Sequence, residues 1–229
     1  MDPPQTGVAL SLLALTLTLA ALSVRGLGRF ARDRVWSQLA WGSGLGLATV
    51  ATAVELVVYV GFVDSLLLQA YVFLSAAIVG ILSLGCTQVI PSPRVRAGYT
   101  AYALAGCALV GGLSFTTPLP ASMVSRGVIT GNPSMDLLVL SSLVTVPATV
   151  VLLGAVVISL RKSWQWRTVM MGIGAAVLAA GGALYIASFP AALYYAEFLG
   201  VILIFLGLVN LPQVVSASVA ATQGLLNHD

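Results

Sequence analysis

The sequence predicts an all-α membrane protein, a polytopic bundle of seven transmembrane helices. Of its 229 residues, 59% are hydrophobic and only 7% are charged, and the mean hydropathy is +1.03. Soluble domains carry about 25% charged residues, so this chain has too few charges to cover a water-exposed surface. At about 20 residues for each bilayer crossing, its length allows seven or eight spans and no sizeable soluble domain.

Seven apolar segments alternate with short polar breaks. Each segment is long enough to cross a hydrocarbon core about 30 Å thick, and backbone groups inside lipid must pair within the segment, which favours helices. The first segment lacks a basic start and a small-residue cleavage site, so we expect a retained helix rather than a signal peptide. One transmembrane domain covers residues 1–229, with spans at about 7–24, 36–60, 65–90, 98–117, 137–160, 168–188 and 192–216.

The basic residues orient the predicted bundle. Nine of the ten lie in the first, third and fifth breaks, whereas Arg126 lies in the fourth. By the positive-inside rule, this places the N-terminus outside and the C-terminus in the cytoplasm of a cell membrane. The net charge of +3 is small and confined to loops, so no nucleic-acid partner is expected. The nine residues are Arg25, Arg29, Arg32, Arg34, Arg94, Arg96, Arg161, Lys162 and Arg167.

The two halves of the chain share an outline that predicts a parallel 3+1+3 helix repeat. In each half, a helix and a basic loop lead to a helix that opens on a G-x-G pattern, and a third helix follows. The patterns are Gly42 with Gly44 and Gly172 with Gly174. Span four is then the odd helix, and both triplets cross the membrane in the same direction, as in some transporters. Residue identity between the halves is slight, so shared hydropathy alone is the alternative explanation.

This outline resembles that of microbial rhodopsins, which are seven-helix proteins of similar size with an external N-terminus. Rhodopsins hold retinal through a lysine in the last helix, whereas Lys162, the one lysine here, lies in a predicted cytoplasmic loop. The layout also resembles the sugar-transporting SWEET and PQ-loop proteins, but the pair Pro212 and Gln213 lies in the wrong helix of its triplet. Over its whole length the chain resembles uncharacterised seven-helix membrane proteins of prokaryotes, a resemblance that implies no particular chemistry.

Two carboxylates are predicted to lie inside the membrane, Glu55 in span two and Glu197 in span seven. A charged group near the midplane costs ~2.5 kcal/mol or more, so such a residue marks a functional site by default. Both glutamates lie about five residues, roughly 7 Å, below the outer interface. Thr52, Glu55 and Tyr59 are spaced i, i+3 and i+7 on one helical face, and Tyr194 precedes Glu197 by three residues.

The sequence therefore predicts an outward-open polar pocket in which Glu55 and Glu197 face each other beside Tyr59 and Tyr194. Two carboxylates at close range would share a proton or hold a cation. The alternative is structural: each glutamate reaches the interface, a tyrosine hydroxyl or Arg126.

Motifs for catalysis and cofactor binding are missing from the sequence. Cys86 and Cys107 stand alone in apolar stretches and are predicted to be packing residues, and the one histidine, His228, adjoins the C-terminus. We therefore expect no metal site and no haem or other cofactor. HExxH, paired intramembrane aspartates and a Ser-His pair are all absent, so no enzyme is expected.

Small residues and prolines predict how the helices pack. Gly42 and Gly46 form a GxxxG pattern that favours close helix contact, and the pairs at 111–112 and 181–182 fit the same role. Pro147 and Pro212 are predicted to kink or break their helices unless neighbouring groups satisfy the freed carbonyls.

The sequence as a whole predicts a non-catalytic integral membrane protein, a ligand-binding, sensory or accessory subunit of a membrane assembly. Few buried polar groups and abundant small residues favour this interpretation. Besides the lipid bilayer, its expected partner is another membrane protein or a second copy of the chain. The alternative is a small-solute, cation or proton transporter or channel that uses Glu55 and Glu197.

Overall fold

The computed structural model describes residues 3–87, 90, 92–125, 127–129 and 133–162, together with isolated positions further along the chain. Five helices in this part are long and apolar enough to cross a membrane, so the chain is a membrane protein and its first five predicted spans are helical. The third helix ends at Gly85 rather than at 90, and the fourth begins at Pro93 rather than at 98. Predicted spans 168–188 and 192–216, and with them the count of seven and the second half of the repeat, lie outside the described residues apart from isolated positions. The helices are α1 Pro3–Asp33, α2 Trp36–Tyr59, α3 Ser65–Gly85, α4 Pro93–Thr116 and α5 Met135–Lys162.

Helix α1 is longer than the sequence predicted. It continues to Asp33 through most of the stretch 25–34, which was expected to be a loop. Arginine is a good helix former, and a helix can run past the hydrocarbon into the headgroup region without losing its own hydrogen bonds. Arg34, in the left-handed region at φ 54°, ends the helix, and only Arg34 and Val35 separate α1 from α2.

Helices α1 and α2 pack antiparallel at very close range through small residues. A Cβ atom built on Gly42 would lie 2.9 Å from the backbone nitrogen of Leu27, and one built on Gly26 would lie 3.0 Å from the Cα of Gly42. Ser23 donates a hydrogen bond of 2.8 Å to the carbonyl of Gly42, and a Cβ on Gly46 would lie 3.0 Å from Ser23 Oγ. The close-packing role predicted for Gly42 and Gly46 is confirmed.

Helix α3 is the central element of the described part and packs against α2, α4 and α5. Two hydrogen bonds join its N-terminal half to α4 and to the residue that follows α4: Gln69 donates to the carbonyl of Thr117 at 2.8 Å, and Ser114 donates to the carbonyl of Gln69 at 2.6 Å. The main apolar core lies between these helices, with Val58, Leu68, Val110 and Leu137 fully buried.

Pro147 lies inside α5 without interrupting it. A proline has no N–H group, so the carbonyl four residues earlier, that of Leu143, loses its helical partner. The Tyr102 hydroxyl on α4 donates a hydrogen bond to that carbonyl. The neighbouring helix therefore satisfies the carbonyl that Pro147 leaves unpaired. This is the condition under which the helix was predicted to continue through the proline.

The connection between α4 and α5 contains a feature that the sequence did not predict. A 3₁₀ turn at Ala121–Met123 leads into a two-stranded antiparallel hairpin, β1 Val124–Ser125 and β2 Val128–Ile129. Leu119, Met123 and Ile129 are buried in the main core. Apart from this hairpin, the prediction of an all-α chain is confirmed for the described residues.

The predicted orientation makes a labelling test straightforward, because Ser92 and Ser125 lie beyond opposite ends of α4. We expect Ser125→Cys to react with a membrane-impermeant maleimide in intact cells, and Ser92→Cys to react only after permeabilisation. Reaction of both positions from the same side would contradict the topology.

Native cysteines should add little background to this labelling. Cys86 and Cys107 form no disulfide, and Cys107 is buried within α4. Burial raises the pKa of the Cys86 thiol, one residue beyond α3, to about 11. The reactive thiolate is therefore scarce at neutral pH, and the unmodified chain is the matching control.

Candidate functional site

Glu55 faces the protein interior from the C-terminal half of α2. It is 5% exposed, and it is the one aspartate, glutamate, lysine or arginine that is buried among the described residues. Ala51, Val54 and Val58 share its inward-facing side of α2 and are buried as well. The packing of this apolar face against α3 therefore carries the carboxylate into the core.

The described partner of the Glu55 carboxyl group is Tyr71 on α3, whose hydroxyl forms a hydrogen bond with it. Glu55 Oε2 is buried and has no hydrogen-bond partner among the described residues. A buried acceptor without a donor costs ~1–3 kcal/mol, and more if the group is charged. This oxygen is the strongest indication of a site in the described part of the chain.

Two glycine contacts fix the α2–α3 register that brings Glu55 to Tyr71. A Cβ built on Gly85 would lie 2.5 Å from Trp41, and one built on Gly44 would lie 2.5 Å from Leu82. Glu55 lies 14 residues after Trp41, and Tyr71 lies 14 residues before Gly85. The close contact at the opposite end of these antiparallel helices therefore sets which residue on α3 meets Glu55, roughly 20 Å further along.

Thr52 lies one turn deeper in the membrane than Glu55 and faces α1. Its hydroxyl lies 3.0 Å from that of Thr16, and its one hydrogen is shared between the backbone carbonyls of Ala48 and Thr49, at 3.1 Å each. The single hydrogen of the Thr16 hydroxyl is shared between the Thr52 hydroxyl and the carbonyl of Leu12, which lies 2.8 Å away. Thr52 is therefore fully bonded and links α1 to α2.

Tyr59 also faces α1, where it packs with Val8 around the buried Leu12. Above it lies Gly127 in the hairpin turn, with φ 77°; a Cβ at Gly127 would lie 3.2 Å from the carbonyl oxygen of Tyr59. The structure thus turns Thr52 and Tyr59 toward α1 and Glu55 toward α3. Glu197, Tyr194 and Arg126 lie outside the described residues, so the predicted pairing of the two glutamates stays a prediction.

Sequence reasoning missed Tyr71. It lies in the middle of an apolar stretch of α3, where an aromatic residue is expected simply to fill space. The available signal was its spacing from Asp64, the N-cap of α3. This spacing places the Tyr71 hydroxyl at about the same distance as Glu55 from the end where α2 and α3 are connected.

No three His, Cys, Asp or Glu side chains of the described residues are grouped so as to hold a metal ion. The chain matches no known protein family, and neither a curated protein nor a solved structure shows significant similarity to it.

Proposed function

We propose that this chain is a non-catalytic integral membrane protein that binds a proton or a small monovalent cation at Glu55. In this role it would act as a ligand-binding or sensory subunit of a cell-membrane assembly. The observation that carries the proposal is the buried Glu55 Oε2, which has no hydrogen-bond partner among the described residues.

The chemistry of the surroundings favours such a ligand. No described arginine or lysine forms an ion pair with Glu55, and a lone charge at this depth costs ~2.5 kcal/mol or more. A proton or a cation removes that cost, since buried charges are stable only when neutralised, paired or coordinated. The carboxyl and phenol oxygens of Glu55 and Tyr71 offer little to an apolar ligand.

Access from the outer side fits the same proposal. Glu55 lies four residues before Tyr59, the last residue of α2, so it is roughly 6 Å below the end of the helix. In the predicted orientation this end faces outward. A group at this depth is close enough to the aqueous phase to exchange a small ion and deep enough to be shielded from water.

Infrared difference spectroscopy of the reconstituted protein tests the proposal. We expect a carboxyl band that responds to pH or to Na⁺ or K⁺, disappears in Glu55→Gln, and shifts in Tyr71→Phe because the carboxyl group loses its donor. Thr52→Val is the matched control, since Thr52 bonds to α1, and it should leave the band unchanged. A spectrum that is the same in the wild type and in Glu55→Gln under all three ionic conditions would refute the proposal.

A transporter or channel for protons, cations or small solutes is the second candidate, and the hydroxyls between α1 and α2 favour it. Thr16 and Thr52 lie one turn below Glu55, on the neighbouring face of α2, and Ser23 is buried further along the α1–α2 interface. Glu197 and the predicted 3+1+3 repeat would complete such a route. Flux into liposomes that contain the purified protein, abolished in Glu55→Gln, would favour this candidate over the first.

A further inference from the structure

The inner end of the α1–α2 hairpin carries a concentration of positive charge beside two aromatic rings. Asp33 is the one acidic residue between positions 25 and 36. Within the described part of the chain, none of the arginines here forms an ion pair. We name this surface the basic turn; it consists of Arg25, Arg29, Arg32 and Arg34 with Phe30 and Trp36.

Three of these arginines form a stripe along α1. Arg25, Arg29 and Arg32 are spaced i, i+4 and i+7, which places them within an arc of about 60° over two turns, roughly 10 Å long. This arc lies beside the face that carries Ser23 and Gly26 into the contact with α2. Arg32 Nε donates to the carbonyl of Gly28 at 3.4 Å, which leaves its terminal nitrogens and the guanidinium groups of Arg25 and Arg29 to meet a ligand outside the bundle.

The fourth arginine and the two rings form the tip of the basic turn. The guanidinium carbon of Arg34 lies 5.9 Å from the centre of the Phe30 ring, and the Phe30 and Trp36 rings are 6.1 Å apart. Trp36 is 75% exposed. An exposed tryptophan at the end of a membrane-spanning helix is typical of the layer where lipid headgroups lie.

We propose that the basic turn binds the headgroups of anionic phospholipids. Clusters of four to eight basic residues directly beside a membrane helix attract anionic lipid, and a guanidinium group matches phosphate oxygens with two parallel N–H donors. In the predicted orientation the turn lies at the cytoplasmic leaflet, whose surface is negatively charged. Arg96, near the start of α4, is partly buried and donates to the carbonyl of Ile90 at 3.0 Å.

Native mass spectrometry of the purified protein in neutral detergent tests this assignment, with phosphatidylglycerol as the anionic lipid and phosphatidylcholine as the neutral one. We expect the wild type to retain phosphatidylglycerol selectively. The double variant Arg29→Gln/Arg32→Gln should need about 30 times more phosphatidylglycerol for half-saturation, on the basis of ~1 kcal/mol for each arginine. The matched control, Arg94→Gln/Arg161→Gln, removes the same charge from two exposed arginines elsewhere and should bind like the wild type.

Three results would overturn the proposal. Equal losses in the two double variants would mean that diffuse charge, not the basic turn, attracts the lipid. Equal retention of both lipids by the wild type would remove the headgroup preference. Displacement of the lipid by millimolar inorganic phosphate would identify free phosphate as the ligand. Size-exclusion profiles that match the wild type exclude misfolding as the cause of any loss.

Discussion

Replacing Gly42 with leucine is expected to lower the free energy of unfolding by about 3 kcal/mol, the upper part of the range for overpacking a tight contact. For a chain of this size, that corresponds to a fall of roughly 6–12 °C in the thermal midpoint. The first added atom, the Cβ, would lie 2.9 Å from the backbone nitrogen of Leu27. A backbone atom cannot rotate away, so α1 and α2 have to separate. The hydrogen bonds that join them, from Ser23 to Gly42 and from Thr16 to Thr52, would then lengthen or break.

Gly112→Leu is the matched control for this substitution. Gly112 is an exposed helical glycine on α4, and a Cβ there would meet no heavy atom of the described residues within 4 Å, so the close-packing role predicted for this position is wrong within the described part. Leucine is the better helix former, so the control should unfold at the same temperature as the wild type or slightly higher. Thermal unfolding of both variants in one detergent measures the difference. Equal losses at the two positions would show that side-chain bulk, rather than the contact with α1, controls stability.

Hydropathy and small-residue patterns were sufficient to predict the helices and one of their contacts. Five apolar segments form helices, because each segment must satisfy its own backbone hydrogen bonds in lipid. Gly42 and Gly46 revealed the α1–α2 contact because close approach of two backbones excludes larger residues. The length of α1 was wrong, since hydropathy marks where the hydrocarbon ends and not where the helix ends.

The candidate site was predictable only in part. Glu55 was found because a carboxylate is rare in an apolar span, but the polar face assigned to Thr52, Glu55 and Tyr59 is divided in the structure. At about 100° per residue, Thr52 and Tyr59 point within about 20° of each other, whereas Glu55 points about 60° away from Thr52. Two neighbouring helices can share such an arc, and here α1 contacts one side of it and α3 the other.

The sequence of α2 or of α3 alone does not show that Tyr71 is the partner of Glu55. This pairing follows from the register of α2 against α3, which the contacts of Gly44 and Gly85 set at the opposite end of the helices. The same holds for Tyr102 and Leu143, whose hydrogen bond depends on how α4 lies against α5. A proline in the sequence shows that one backbone carbonyl loses its helical hydrogen bond. Only the packing of the helices shows which donor replaces that bond.

That hydrogen bond leads to the second large effect. Tyr102→Phe is expected to lower the free energy of unfolding by about 2 kcal/mol, because the Leu143 carbonyl would be left without a donor in a lipid environment that offers no water. Pro147→Ala should reverse this loss, since alanine restores the N–H group that bonds to Leu143 in a regular helix. In the Pro147→Ala background, Tyr102→Phe should therefore cost little.

The double-mutant cycle measures this coupling directly, and we expect an interaction energy of 1–2 kcal/mol, within the range of about 0.5–3 kcal/mol for residues that share one hydrogen-bond network. Tyr99→Phe, made in the same two backgrounds, is the control. The Tyr99 hydroxyl pairs with Ser83 on α3 at 2.6 Å, so its removal should cost the same with or without Pro147. If Tyr102→Phe also costs the same in both backgrounds, the hydroxyl does not replace the missing N–H group. The continuity of α5 would then have to come from packing of the helix rather than from Tyr102.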